Sequence, residues 1–104
     1  VHYLVAFAGK NVRCAPYARF GSDELALNAV AGMKDRKAVL LANHGLLAGG
    51  KDLPTAFGIA EQIEFCAEIY CRAKCIGQPV LISDSEMERV AEKLKWYGAG
   101  AQSD

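Results

Sequence analysis

The stretch "KAVLLANHGLLAGG", Lys37–Gly50, contains two apolar runs on either side of the tripeptide Asn43–Gly45. Each run is short and bounded by polar or glycine residues, which predicts two buried strands joined by a tight turn at the glycine. The pair Gly49–Gly50 ends the second strand. His44, one of two histidines in the chain, follows the first strand. It is either a polar residue tolerated at a strand end or an imidazole that two rigid strands hold at a fixed point.

The residues before this stretch predict two further extended segments and a helix. The apolar run "VHYLVAFAG", residues 1–9, is typical of a buried strand that ends at its glycine. The segment "VRCAPYARF", residues 12–20, is a second extended piece, in which the proline favours an edge or a break. Ser22 has the position of an N-cap, and the helix that follows it is expected to stop near Asp35–Arg36.

The residues after this stretch predict two helices. Asp52 and Pro54 begin a long helix with apolar residues at i, i+3 and i+4 spacing, and Gly77 ends it. The sequence 83–86, "SDSE", matches a capping box that begins a last helix, with Tyr97 after its end. The predicted order is β-β-α-β-β-α-α without an internal repeat, so we expect an α/β fold in which helices cover a sheet.

Composition limits the function classes. A chain of 104 residues forms at most one domain, and 12 basic residues balance 12 acidic ones, which argues against a nucleic-acid partner. No apolar run reaches the roughly 20 residues that a membrane helix needs. We expect no membrane partner.

With no secretory signal and four cysteines that suit buried free thiols, we expect a cytoplasmic protein. The chain opens inside an apolar run without Met, which indicates part of a longer polypeptide.

His44 is the strongest candidate for chemistry, because neutral imidazole is the commonest metal ligand in proteins. A catalytic zinc needs about three protein ligands and an open position, and the sequence shows no complete set. Tyr3, Tyr17 and Tyr97 lie near element ends, where a phenol can bury its ring and keep its oxygen at a polar cleft. Packing aromatics give the same pattern, and Phe20 has the simplest explanation as a core or staple residue.

Three motifs carry a resemblance to a known family: "CAPYARFGSDELA", then "KAVLLANHGLLAGG", and later "EKLKWYG". Together they resemble the C-terminal half of the class II aldolase/adducin family, in particular its fuculose-phosphate aldolases. The similarity covers essentially the whole chain. It implies that residues 1–104 are the C-terminal part of a single domain with three α-β-α layers, incomplete because the N-terminal half is absent.

The resemblance assigns roles to four residues. It implies that His44 is a ligand of a catalytic zinc ion and that Tyr3 is an acid-base group supplied to a neighbouring subunit. It places Tyr97 in a C-terminal segment that closes over the site, and Phe20 in the wall around the aldehyde. The family's two other zinc histidines, its catalytic glutamate and its phosphate-binding residues belong to the N-terminal half. The expected assembly is a homo-oligomer, a tetramer by resemblance.

The implied activity is zinc-dependent aldol cleavage of a sugar 1-phosphate, such as L-fuculose 1-phosphate, to dihydroxyacetone phosphate and a small aldehyde. The fragment alone is expected to be inactive. Two alternatives stay open at this stage. Sugar-phosphate epimerases and dehydratases resemble the same family, and an adducin-like assembly module would keep the fold without catalysis.

Overall fold

The structure, a computed structural model, describes the backbone of residues 2–103 and the side chains of residues 2–95. Its elements are a 3-10 helix Tyr3–Phe7, strand β1 Arg13–Ala15, helix α1 Asp23–Gly32, strands β2 Ala38–Leu41 and β3 Gly45–Ala48, and helices α2 Leu53–Ile76 and α3 Asp84–Ser103. These elements form a small α/β fold around one three-stranded mixed sheet.

The central strand of the sheet is β2. It pairs in parallel with β1, with Arg13 opposite Val39, and antiparallel with β3, with Leu41 opposite Gly45. The β2–β3 hairpin is the strand, turn and strand that the sequence predicts. Because β1 and β2 run in the same direction, α1 forms the crossover between them.

Two neighbouring residues of β2 show that helices cover both faces of the sheet. Successive side chains of a strand point to opposite faces. Val39 is fully buried, and its side chain lies so close to Gly32 of α1 that a Cβ there would overlap it. Ala38 forms a core cluster with Ile59 and Ile63 of α2. The helices α1 and α2 therefore cover opposite faces, which confirms the expected helix–sheet–helix layering.

The first apolar run is not a strand, and that expectation was wrong. Tyr3–Phe7 forms a 3-10 helix, and the Nδ1 atom of His2 accepts a hydrogen bond from the backbone N–H of Leu4 at 3.1 Å. Ala8 belongs to the core cluster, and Val5, three residues before it, packs against that cluster. A short apolar run fits a strand and a helical turn equally well, and here the local cap selects the helical turn.

The predicted helix starts are confirmed. The Ser22 hydroxyl accepts from the backbone N–H of Leu25 at 3.1 Å, and the Asp52 carboxylate accepts from that of Thr55 at 2.8 Å. The Ser83 hydroxyl accepts from the backbone N–H of Glu86 at the start of α3.

Among the described residues, no helix has both the length and the apolar character needed to cross a bilayer.

Two helix ends differ from expectation. α1 ends at Gly32 rather than near Asp35–Arg36. The Arg13 guanidinium, which approaches from β1, donates to the carbonyl oxygens of Gly32 and Lys34 at 3.1 and 2.7 Å. This side chain caps carbonyls that would otherwise lack partners where the helix stops. α3 continues to Ser103, past the position at which the sequence suggested an end.

The cysteines are free thiols, as expected, but they are not mostly buried. Cys14, Cys71 and Cys75 are exposed, and Cys66 is half-buried. Burial raises the pKa of the Cys66 thiol above its ordinary value. The expectation of buried thiols was wrong for the other three. Cys71 and Cys75 lie in the second half of α2, which has few neighbours within the described residues, and Cys14 lies on β1, an edge strand of the sheet.

Candidate functional site

The candidate site lies at one end of the sheet. β1 and β2 are parallel and end together, with Ala15 opposite Leu41, and the backbone N–H of Ala42 donates to the carbonyl oxygen of Ala15 at 3.1 Å. We call this end the carboxyl edge. The loop 16–22 leaves β1 there, and the turn 42–44 leaves β2 there. In open α/β sheets, ligands bind outside the carboxyl ends of parallel strands.

His44 is the last residue of the turn at the carboxyl edge. The loop 42–44 connects the paired residues Leu41 and Gly45, and the backbone N–H of His44 donates to the carbonyl oxygen of Leu41 at 3.0 Å. Three-residue loops of this kind need one residue with a left-handed backbone. That residue is Asn43, whose φ is 57°.

The glycine after the histidine does not make the turn, contrary to the sequence-based expectation. Gly45 is the first residue of β3, and its φ is not in the left-handed region. Apart from its two chain neighbours, no described heavy atom would lie within 4 Å of a Cβ added to it. Asn43 is the turn residue of the candidate site that sequence reasoning missed. The available signal was its residue type, since asparagine tolerates a left-handed backbone better than most residues.

The His44 side chain is exposed. Among the described side chains, it has no hydrogen bond, ion pair or aromatic partner, so both ring nitrogens are available to a ligand. The described residues contain no group of three or more histidine, cysteine, aspartate or glutamate side chains that could hold a metal ion. The chain can thus supply one imidazole to a metal centre, and the remaining ligands would have to come from outside these residues.

Phe20 lies in the loop that leaves β1 at the same edge. Its side chain is 80% exposed, so its interpretation as a core residue is wrong for the described part of the chain. Gly21, with a φ of 74°, and the N-cap Ser22 follow it. The loop is held to α1 because the Asn28 amide donates to the carbonyl oxygen of Pro16 at 3.2 Å. Tyr17, in the same loop, is also exposed.

Tyr3 is not brought to the carboxyl edge by any contact of the described residues. It lies in the 3-10 helix, which packs on α2 and α3. Its ring stacks on His2 with centroids 4.6 Å apart, and His2 meets the edge of Phe65 at 5.3 Å. Tyr3 is 48% exposed, so its hydroxyl could be reached from outside the chain. Tyr97, the fourth predicted site residue, lies outside the described side chains.

The chain matches known proteins over most of its length. A family profile described as "Class II Aldolase and Adducin N-terminal domain" matches residues 1–71. The chain is 58% identical over 98 residues to 5-deoxy-D-ribulose 1-phosphate aldolase of Bacillus thuringiensis serovar kurstaki, covering 94% of this chain and 46% of that protein. It is 43% identical over 100 residues to L-fuculose phosphate aldolase of Escherichia coli K12, again covering 94% and 46%.

Comparison of the structure with solved structures leads to the same family of proteins. A solved structure of L-fuculose 1-phosphate aldolase superposes with a TM-score of 0.88 at 57% identity, covering 90% of this chain and 44% of that one. The chain spans about half the length of the curated relatives that it matches. The matched profile covers more than half of the chain, and the fold agrees with it. This chain belongs to the class II aldolase and adducin family.

Proposed function

We propose that the protein containing this chain is a metal-dependent aldolase that cleaves a ketose 1-phosphate to dihydroxyacetone phosphate and a small aldehyde. The observation that carries the proposal is the exposed imidazole of His44 at the carboxyl edge, which has no partner among the described side chains and lies beside the loop that presents Phe20. The relatives described above are all named as sugar-phosphate aldolases, which favours this reaction over the epimerase, dehydratase and adducin-like alternatives.

The proposed substrates share one chemical feature. In 5-deoxyribulose 1-phosphate and fuculose 1-phosphate, the two substrates in the relatives' names, the carbon farthest from the phosphate is a methyl group. Breaking the bond between C3 and C4 would release acetaldehyde from the first and lactaldehyde from the second. An exposed phenylalanine offers an apolar surface to such a methyl group. We therefore propose Phe20 as part of the wall around the aldehyde.

The proposed cofactor is a zinc ion, for which His44 would supply one ligand. An exposed imidazole with both nitrogens available suits Zn²⁺, whose catalytic sites combine about three protein ligands with an open position. The other ligands are expected outside this chain segment. When bound, such an ion supplies Lewis-acid stabilisation of the negative charge that develops on the substrate's oxygens.

The remaining roles belong to two tyrosines. C–C cleavage requires removal of the proton of the C4 hydroxyl, because this oxygen becomes the aldehyde C=O as the C3–C4 bond breaks and its electron pair passes to the enediolate of dihydroxyacetone phosphate. A tyrosine side chain hydrogen-bonded to the C4 oxygen can take part in that proton transfer. We propose Tyr3 for this role, in the site of a neighbouring subunit, because it is half-exposed and no contact within the described residues brings it to the carboxyl edge of its own chain. The proposal requires a homo-oligomer, by resemblance a tetramer. Tyr97 is proposed to close over the aldehyde.

Surface area supports the proposal that this chain is the C-terminal part of a larger single domain. Its accessible surface is 7628 Å², whereas a compact protein of 11.2 kDa exposes about 5,700 Å². The surplus of about one third is what an incomplete domain would show.

We propose the cytoplasm as its compartment, where four free thiols stay reduced.

The test is an aldolase assay with the full-length protein. Formation of dihydroxyacetone phosphate from 5-deoxyribulose 1-phosphate or fuculose 1-phosphate is the expected result. Ribulose 1-phosphate, which differs from the first substrate by one terminal hydroxyl, serves as the control and should react more slowly. Isomerisation without cleavage would favour an epimerase, and no reaction with any of the three would contradict the proposal.

A further inference from the structure

Two residues other than glycine have a left-handed backbone among the described residues: Asp35, with a φ of 56°, and Asn43, with a φ of 57°. They lie at opposite ends of β2, because Asp35 precedes Ala38 and Asn43 follows Leu41. Only asparagine, aspartate and glycine adopt this conformation readily, and β-branched residues are strongly disfavoured in it. The two positions therefore carry the same kind of backbone constraint, one at the candidate site and one away from it.

The backbone on both sides of Asn43 is fixed by hydrogen bonds. Before it, the N–H of Ala42 donates to the carbonyl oxygen of Ala15 in β1 at 3.1 Å. After it, the N–H of His44 donates to the carbonyl oxygen of Leu41 in β2 at 3.0 Å. The left-handed conformation of Asn43 is what allows both bonds within a three-residue loop. A residue that avoids it would have to break one bond and displace the backbone of His44.

We propose that Asn43 is a positioning residue for His44, and that its left-handed backbone, rather than its side-chain amide, holds the imidazole where a metal ion can use it. No described hydrogen bond involves the Asn43 amide, which is consistent with a backbone role. This inference rests on the proposed function, because it assumes that His44 is a metal ligand. It adds a second residue of this chain that controls metal binding without touching the metal.

The experiment measures zinc affinity and melting temperature of the full-length protein by chelator competition and thermal unfolding. Asn43→Val should weaken zinc binding about tenfold or more, the usual effect of losing a group that orients a metal ligand. Asn43→Gly, which adopts the left-handed backbone freely, should keep wild-type affinity. Asp35→Val is the matched control: it should lower the melting temperature as Asn43→Val does and leave zinc affinity unchanged.

The outcomes distinguish a failure of this inference from a failure of the proposed function. Unchanged zinc affinity in Asn43→Val, or equal losses in Asn43→Val and Asp35→Val, would overturn the positioning role. A loss in Asn43→Gly as large as in Asn43→Val would also overturn it, because the amide would then be responsible. His44→Ala with normal zinc affinity would instead overturn the ligand role itself. If the valine variants do not fold, Asn43→Ala and Asp35→Ala take their places.

Discussion

At the scale of single residues, exposure distinguishes side chains that hold the fold from side chains that face a ligand or a partner. Val39 is fully buried against α1, whereas Phe20 is 80% exposed at the carboxyl edge. Because a phenylalanine stabilises a hydrophobic core only when its ring is buried, a ring with this exposure contributes little to the stability of the described part of the chain. The ring of Phe20 is thus available for the proposed contact with the aldehyde.

Phe20→Ala should lower kcat/KM for the methyl-ended ketose phosphates about tenfold, the scale on which small changes in an apolar pocket affect catalysis. The melting temperature should change little, because the side chain has few contacts to lose. Leu27→Ala is the control, since Leu27 is 70% exposed on α1, and it should leave kcat/KM unaltered. An equal loss of stability and activity in Phe20→Ala would indicate a packing residue instead.

The sequence identifies His44 and Phe20 as candidates but does not predict how their side chains are placed. Residue type and motif order are local properties, and they are sufficient for the hairpin and the helix N-caps. Whether an aromatic ring is buried depends on what packs against its loop, which is a property of the whole fold. Asn43 was missed for a related reason, because Gly45, two residues after it, is the commoner signal for a left-handed turn residue.

At the scale of elements, the interface between α1 and β2 depends on a glycine. Gly32→Ala should lower the free energy of unfolding by about 1–3 kcal/mol, the usual cost of overpacking, because its Cβ would overlap the Val39 side chain. Gly58→Ala in α2 is the matched control. Apart from the backbone of its own helix and its chain neighbours, no described heavy atom lies within 4 Å of its added Cβ, so stability should rise by up to about 1 kcal/mol. Urea unfolding measures both variants, and equal effects would contradict the packing described.

The start of α2 makes stability depend on pH. Hydrogen bonds from Thr55 lower the pKa of Asp52 below its ordinary value of 3.8, because they favour the ionised carboxylate. The stabilisation is therefore present above the unfolded-state pKa and is lost as pH falls through the lower folded-state pKa. Asp52→Asn keeps a cap that does not titrate, so its unfolding free energy should fall less than the wild type's as acid is added. Parallel curves would contradict this role.

The sequence predicts an element correctly where its local signals agree. It fails where packing against another element decides the conformation. The caps at Ser22, Asp52 and Ser83 combine with apolar periodicity, and all three helices begin where expected. The first apolar run lacks a period that distinguishes strand from helix, so its conformation depends on the His2 cap and on packing against α2. Propensity alone cannot supply that information.

At the scale of the whole molecule, the chain has less core than its length allows. Among the residues whose burial is described, five of the nine buried apolar ones are alanines, and a cavity of about 560 Å³ is lined by residues of both α2 and α3. The lining of that cavity includes Ile63, Cys66, Leu81 and Met87. These features agree with the proposal that further polypeptide completes the domain, and with the need for metal ligands from outside these residues.

The most direct test of this account is the zinc content of three purified proteins: the full-length protein, its His44→Ala variant and the 104-residue chain alone. Metal analysis should find about one zinc per subunit in the first and essentially none in the other two, because His44 supplies one of about three protein ligands. A fourth protein, the full-length His2→Ala variant, is the control: it lacks the other histidine of this chain and should keep its zinc. Stoichiometric zinc in His44→Ala, or tight zinc binding by the 104-residue chain alone, would contradict the account.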